Sequence, residues 1–149
     1  MAEVLFYHLE GRPLDAVLPP LIEKCLERGW RVVIEAGSRE RVDALDALLW
    51  TFRDDAFVPH GLAADPNAAE QPVVIAGESV NPNAANVRFA VDGAPLGPAA
   101  AFMRTVLIFD GADPEALARA RLDWRRARAE GLTATYWQQA ANGRWEKRA

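Results

Sequence analysis

Two apolar runs decide the fold of this chain: Val4-Leu5-Phe6-Tyr7-His8-Leu9 and Arg31-Val32-Val33-Ile34-Glu35-Ala36. Between them, apolar residues recur at steps of three and four, at Leu14, Val17, Leu18, Leu21, Ile22, Cys25 and Leu26. This spacing predicts a helix with one face turned to a core, and the flanking runs read as buried strands. Pro19-Pro20 predicts a kink or a fresh helix start, and Gly29 predicts the helix end.

The next part of the chain continues this alternation. Ser38 is a predicted N-cap for a second helix, which buries the apolar positions Val42, Leu45, Leu49 and Phe52. At about 100° per residue, Trp50 points away from that stripe and is predicted to be exposed or at an interface. Residues 57–62 and 63–71 are predicted loops, and residues 72–77 form the third buried strand.

The C-terminal half shows the same alternation of predicted strands and helices. The predictions are turn-like structure over residues 80–85, an edge strand over 87–91, a turn at Gly97-Pro98, a short helical turn over 99–103 and a strand over 104–110. Asp113-Pro114-Glu115 opens the last long helix, because proline suits the first helical position and acids suit the first turn. Gly131 closes it, and residues 133–137 and 143–147 are a final strand and a tail. The whole pattern predicts one α/β domain over residues 1–149, with a largely parallel sheet covered by helices.

The charge of the chain is unevenly distributed. Residues 1–118 hold nine Lys/Arg against eighteen Asp/Glu, whereas residues 119–149 hold eight against three. The overall net charge is −4. An acidic body disfavours broad DNA binding, so the basic end predicts one localised site for an anionic ligand or an acidic peptide. The alternative interpretation is a solvated basic helix.

Sequence motifs for catalysis and cofactors are missing. The turn after the first strand, Glu10-Gly11-Arg12-Pro13, is not a phosphate-binding glycine loop, and neither serine lies in a nucleophile elbow. In one interpretation His60 pairs with Asp54 or Asp55 as an acid/base group. In the alternative it is a loop histidine that forms a hydrogen bond with backbone. The lone Cys25 and two distant histidines build no zinc motif. We therefore expect no enzyme activity, no metal and no cofactor.

The predicted compartment is a reducing cytoplasm. The single cysteine permits no internal disulfide, which is usual for cytoplasmic proteins. The N-terminal residues have no signal-peptide pattern, and no apolar run approaches the ~18 residues that span a membrane.

The last long helix carries the most informative constellation. Arg121, Arg125 and Arg128 follow the i, i+4, i+7 rule along one edge, with Trp124 between them, while Arg119 and Arg126 point to the opposite side. Guanidiniums bind carboxylates bidentately, and a neighbouring aromatic supplies apolar contact. Spacing alone leaves two interpretations open: a site for a short acidic peptide with an apolar residue, or a core tryptophan flanked by solvated arginines.

A second aromatic cluster follows the second helix. The segment Leu49-Trp50, then Phe57-Val58-Pro59-His60, resembles the Leu-Trp-x-x-x-x-x-x-Phe-x-Pro-His segment of the chi subunit of bacterial DNA polymerase III. Other segments agree with the same family along nearly the whole chain: Phe6-Tyr7-His8-Leu9, Gly29-Trp30-Arg31-Val32, Ala118-Arg119-Ala120-Arg121, Gly131 and Tyr136-Trp137.

The resemblance implies a Rossmann-like α/β protein without catalytic activity of its own, attached to the clamp loader of the replicative polymerase. It implies that the last helix binds the acidic C-terminal tail of single-stranded DNA-binding protein, which ends in Asp/Pro/Phe-type residues. The matching positions are Trp124 and Arg125, with Arg121 and Arg128 as further candidates. It also implies a psi-subunit partner, for which the candidate surface is Trp50, Phe57, Pro59 and His60.

Two other functions compete with this one. A small enzyme or nucleotide-binding domain would use the crevice at the carboxyl end of the sheet, although no phosphate loop is present. A direct DNA binder would use the arginines of residues 119–128, although the acidic body opposes it. We therefore expect little or no direct DNA binding and no membrane association.

Overall fold

The computed structural model describes residues 2–51, 58–97 and 99–149. It contains the strands β1 (Glu3–Leu9), β2 (Val32–Ala36), β3 (Gly61–Leu62), β4 (Val73–Ala76), β5 (Val87–Val91), β6 (Arg104–Asp110), β7 (Thr133–Gln139) and β8 (Trp145–Lys147). The α-helices are α1 (Leu14–Glu27), α2 (Arg39–Thr51) and α3 (Pro114–Ala129), and short 3₁₀ helices span Ala68–Glu70 and Ala99–Ala101. The predicted α/β fold is confirmed.

The strands form one sheet in the order β3-β4-β2-β5-β6-β1-β7-β8. All neighbouring pairs are parallel except β7 with β8, which is antiparallel. Helices α1 and α2 pack on one face of the sheet, where β2, β4, β5 and β6 supply valine, isoleucine and phenylalanine side chains. Helix α3 packs on the other face, against Val4, Phe6 and Leu107. This two-faced packing is Rossmann-like, as predicted.

Helix boundaries follow the local signals of the sequence. The Ser38 hydroxyl accepts a hydrogen bond from the Arg41 N–H at 3.2 Å, which confirms it as the cap of α2. Helix α1 runs without interruption from Leu14 to Glu27, with Pro19 and Pro20 inside it, so the predicted fresh start is wrong. Both prolines lie in the first half of the helix, where the packing of its apolar stripe on the sheet outweighs the lost hydrogen bonds.

Strand β5 is not the predicted edge strand. It lies between β2 and β6, and all five of its residues are buried. The polar Arg88 produced the alternation that predicted an edge. Its guanidinium is instead completely buried beside Glu35 of β2, with Nε 2.5 Å from Oε2.

Two predicted irregular segments contain short strands. Gly61–Leu62 lies in the predicted loop but pairs with β4 at the edge of the sheet. Trp145–Lys147 lies in the predicted tail but pairs with β7. The ring of Trp145 packs 4.8 Å from that of Tyr7 in β1, so burial of this tryptophan holds the C-terminal segment on the sheet. Among the described residues, no helix has the length and apolar character needed to cross a bilayer.

Candidate functional site

Helix α3 is fixed at both ends by local capping. The Asp113 carboxylate accepts hydrogen bonds from the N–H groups of Glu115 and Ala116, and Pro114 occupies the first helical position, as predicted. At the other end Gly131 adopts φ +79° and the Leu132 N–H bonds the Ala127 carbonyl at 3.1 Å. This is the Schellman pattern, so Gly131 closes the helix as predicted. The capped helix holds its side chains in a defined register on the sheet.

Trp124 is half-buried between α3 and the sheet. Its ring meets Phe6 of β1 edge-on at 5.3 Å and Tyr136 of β7 at 5.9 Å. The Tyr136 hydroxyl is bonded to His8 Nδ1 at 2.7 Å, and burial raises the pKa of Tyr136, with Arg121 acting in the opposite direction. The anchoring role left open by the sequence is therefore present. On the helix side, the guanidinium carbon of Arg128 lies over the Trp124 ring, 5.7 Å from its centre.

The five arginines of α3 divide into two sets, as the helical spacing predicts. Arg119 donates a hydrogen bond to the Gly93 carbonyl at 3.2 Å, and Arg126 donates one to the Gly97 carbonyl at 2.8 Å. Both are thereby tied to the segment that follows β5. The guanidiniums of Arg121, Arg125 and Arg128 are exposed and form no hydrogen bond or ion pair with residues 2–51, 58–97 or 99–149.

Leu122 is a component of this surface that the sequence did not reveal. Its side chain is 61% exposed, more than any other large apolar residue of the described chain. It lies three residues before Arg125 and three after Arg119, a spacing that brings side chains together on a helix, so it borders the arginine row on the side opposite Trp124. The only sequence signal was its position outside the apolar stripe. Arg121, Leu122, Trp124, Arg125 and Arg128 together are called the α3 surface below.

The second candidate surface is partly described. Trp50 is 55% exposed, and its ring lies 4.8 Å from that of His60. His60 is buried, with Nδ1 2.8 Å from the Val58 carbonyl oxygen and Nε2 2.9 Å from Asp46 of α2. His60 thus makes the predicted backbone contact and also pairs with a carboxylate, that of Asp46, which the sequence did not suggest. The predicted acidic partners Asp54 and Asp55 lie outside the described residues, as do Phe52 and Phe57. Pro59 is exposed beside this pair. Trp50, Pro59 and His60 are called the Trp50 surface below.

A crevice of about 770 Å³ lies at the carboxyl ends of β1, β5 and β6. Nucleotides bind at this position in many Rossmann-like proteins, held by backbone N–H groups after the first strand. Here the N–H groups of Glu10, Gly11 and Arg12 all donate to the side-chain oxygen of Gln139, at 3.0 to 3.2 Å. They are not available to phosphate.

The charge of the crevice also opposes an anionic ligand. Six acidic residues line it: Glu10, Asp92, Asp110, Asp113, Glu115 and Asp123. Two of the lining arginines are already engaged, Arg41 with Asp92 at 2.9 Å and Arg119 with the Gly93 carbonyl. Within the described residues, no three His, Cys, Asp or Glu side chains are grouped to hold a metal ion.

Comparison with known proteins places the chain. A family model described as "DNA polymerase III chi subunit, HolC" matches residues 1–135. The chain belongs to this chi-subunit family. The resemblance inferred from the Trp50–His60 segment is confirmed, and the family is that of an accessory subunit rather than of the catalytic subunit.

Two relatives of the chi family match half of the chain. A "Probable DNA polymerase III subunit chi" of Rickettsia prowazekii is 34% identical over 78 residues, or 52% of this chain and 47% of that protein. A "DNA polymerase III subunit chi" of Pseudomonas aeruginosa is 38% identical over 78 residues, or 50% of this chain and 54% of that protein. The matched part of the chain thus spans about half the length of these curated relatives.

Proposed function

We propose that this chi-family chain binds the acidic C-terminal tail of single-stranded DNA-binding protein on its α3 surface. Binding would tether the polymerase III clamp-loader assembly to protein-coated single strands in the cytoplasm. The observation that carries the proposal is the row of Arg121, Arg125 and Arg128. These guanidiniums are exposed and have no acidic partner among the described residues, beside an exposed Leu122.

The chemistry of this surface suits an acidic peptide. Each guanidinium offers a planar pair of donors to a side-chain carboxylate or to the chain terminus. Leu122 and the half-buried Trp124, on opposite sides of the arginine row, offer two separate apolar contacts, each of which suits a terminal phenylalanine. Micromolar affinity, which corresponds to about −8 kcal/mol, suffices for a tether because several tails on one strand raise the effective concentration.

We propose that the psi subunit, where the organism has one, docks on the Trp50 surface. The exposed indole of Trp50 and the ring of Pro59 present apolar area, as interface cores do. His60 lies beneath Trp50, and its bonds to Val58 and Asp46 hold this part of the surface in one conformation. A rigid aromatic anchor loses little entropy on binding, which favours it as a docking point.

The competing functions have less support. A nucleotide at the carboxyl end of the sheet would meet six acidic side chains and N–H groups already bonded to Gln139. Direct binding of single-stranded DNA would set the acidic body of the chain against phosphates.

The test is fluorescence anisotropy with a labelled acidic peptide that ends in Pro-Phe. We expect saturable binding that weakens with salt, because the contacts are between exposed charges. We expect Arg125→Ala to weaken binding about tenfold, the loss of one charge-assisted contact. Leu122→Ser tests the apolar contact without disturbing the core that Trp124 anchors.

The matched control is Arg119→Ala, which removes the same charge from the same helix on its opposite edge. Its affinity should remain close to that of the unaltered chain. A peptide without the terminal Phe should bind weakly. Absence of saturable binding at low salt, or equal losses for Arg119→Ala and Arg125→Ala, would exclude the α3 surface as the tail site.

A further inference from the structure

A second, smaller cavity lies on the opposite face of the sheet from α3. It has a volume of about 190 Å³ and is enclosed between the C-terminal half of α1 and strands β1, β5 and β6. Its floor is largely apolar and is formed by Leu5, Tyr7, Leu21, Cys25, Phe89 and Val106. Burial raises the pKa of the Cys25 thiol, so this side chain remains neutral at the floor. The cavity is below the ~300 Å³ of drug-sized pockets, so it suits one ring or short aliphatic group.

The mouth of this cavity is cationic. Lys24 of α1, Arg28 at the C-cap of α1 and Arg104 of β6 surround it, together with the indole of Trp30. Arg104 is paired with Glu3 at 2.5 Å. Lys24 and Arg28 have no acidic partner in the part of the chain that the structure describes. The mouth therefore carries an excess of positive charge directly above an apolar floor.

The cationic groups are held in place by the tryptophan. The guanidinium carbons of Arg28 and Arg104 lie 5.0 and 5.1 Å from the centre of the Trp30 ring. Cation–π contacts of this kind restrict the arginine side chains, so less freedom is lost when they bind an anion. The mouth is thereby preorganised for a carboxylate.

The backbone at the end of α1 places Trp30 at the mouth. Gly29 adopts φ +77°, its N–H bonds the Leu26 carbonyl at 3.0 Å, and the Trp30 N–H bonds the Cys25 carbonyl at 3.0 Å. This Schellman motif satisfies the carbonyls of Cys25 and Leu26 and turns the chain so that Trp30 lines the cavity together with Cys25. It also reduces the number of bare carbonyl dipoles that would repel an anion near the helix end.

We propose that this cavity binds a carboxylate attached to a single apolar group, with the apolar group on the floor and the carboxylate between Lys24 and Arg28. Two sources share this chemistry: a free small acid, and the C-terminal residue of a peptide. The inference does not rest on the proposed function of the α3 surface, because the two sites lie on opposite faces of the sheet.

The test is titration with 3-phenylpropionate, followed by NMR of the ¹⁵N-labelled indole groups. The chain has five tryptophans, and Trp30→Phe identifies the signal of Trp30. We expect a saturable shift of that signal and none of the Trp124 signal. The uncharged 3-phenylpropionamide has the same ring and should leave the Trp30 signal unmoved.

Variants at the exposed mouth test the charge contacts without disturbing the core. Arg28→Ala and Lys24→Ala should each weaken binding about tenfold, whereas the control Arg39→Ala, at a highly exposed arginine of α2, should not. Equal shifts with the acid and the amide, no shift of Trp30, or unchanged affinity in both mouth variants would overturn the proposal.

A second titration separates the two sources of the carboxylate. An acidic peptide that ends in Phe with a free carboxylate should shift Trp30 if the cavity takes chain termini, and its C-terminal amide should not. If the peptide leaves Trp30 unmoved while 3-phenylpropionate shifts it, the ligand is a free acid. A peptide that shifts only Trp124 reports on the α3 surface, so failure at one site is distinguishable from failure at the other.

Discussion

The buried ion pair between β2 and β5 offers a sharp test of how the centre of the sheet is stabilised. Arg88 is completely buried and Glu35 is 3% exposed, with Nε and Oε2 2.5 Å apart. Arg88 also donates a hydrogen bond to the Pro95 carbonyl at 2.7 Å, which ties the segment after β5 to the sheet. The perturbation is Arg88→Met, Glu35→Leu and the two changes combined.

The expected loss of stability depends on which of the two charges remains buried without its partner. Arg88→Met leaves Glu35 buried without a partner, which costs about 3–5 kcal/mol, and the lost bond to Pro95 adds about 1 kcal/mol. Glu35→Leu leaves the Arg88 guanidinium buried without a partner, which costs about 3–5 kcal/mol. Each loss is a large fraction of a typical total stability of about 5–15 kcal/mol. The double variant buries no unpaired charge, so we expect it to lose no more than about 2 kcal/mol.

The assay is urea unfolding of the four proteins, analysed as a double-mutant cycle. The expected signature is strong coupling, with the double variant more stable than either single variant. Losses that simply add would refute the reasoning, because they would mean that each side chain stabilises the sheet independently of the other.

Two further changes test contacts that the sheet brings together. Gln139→Leu leaves the three N–H donors after β1 without an acceptor and should cost about 1–3 kcal/mol in urea unfolding, whereas Gln139→Glu keeps an acceptor oxygen and should lose less. Burial raises the pKa of Asp123 above its ordinary value of 3.8, against the attraction of Arg126 and Arg119. Its ionisation therefore costs stability: the contribution of this group is fully present below 3.8 and is lost as pH rises through the higher folded value. Asp123→Asn should stabilise the chain at neutral pH and lose this advantage in acid, and a pH-independent difference would contradict the assignment.

Features encoded within a few residues were predictable from the sequence. Ser38 and Asp113 cap their helices, and Gly29 and Gly131 end theirs, because capping depends on groups at most five residues apart. The alternation of strands and helices predicted the parallel sheet for the same reason, because the periodicity of apolar residues that marks each element lies within that element.

Features that depend on distant partners were not predictable. Arg88 looked like an exposed position because nothing near it in sequence neutralises its charge, and its partner Glu35 lies on another strand. No sequence feature indicated that the Gln139 side chain accepts hydrogen bonds from the N–H groups after β1, which lie more than 120 residues earlier. The strand at Trp145 was missed because its three residues gain stability only from pairing with β7 and from the ring of Tyr7.

The α3 surface combines features that local helical spacing predicts with features that depend on distant contacts. Helical spacing alone divided the arginines of α3 into two sets. The structure shows how the sets differ: Arg119 and Arg126 donate hydrogen bonds to backbone carbonyls after β5, whereas the guanidiniums of the other three arginines form none. Spacing did not decide the role of Trp124, whose ring partners come from β1 and β7. That packing has a consequence for binding. A tryptophan held by the core cannot retract, so it presents a fixed apolar edge beside Arg121 and Arg125 and beneath Arg128, which contacts its ring. We therefore expect substitutions of Arg121 and Arg125 to change affinity while leaving the unfolding midpoint unchanged.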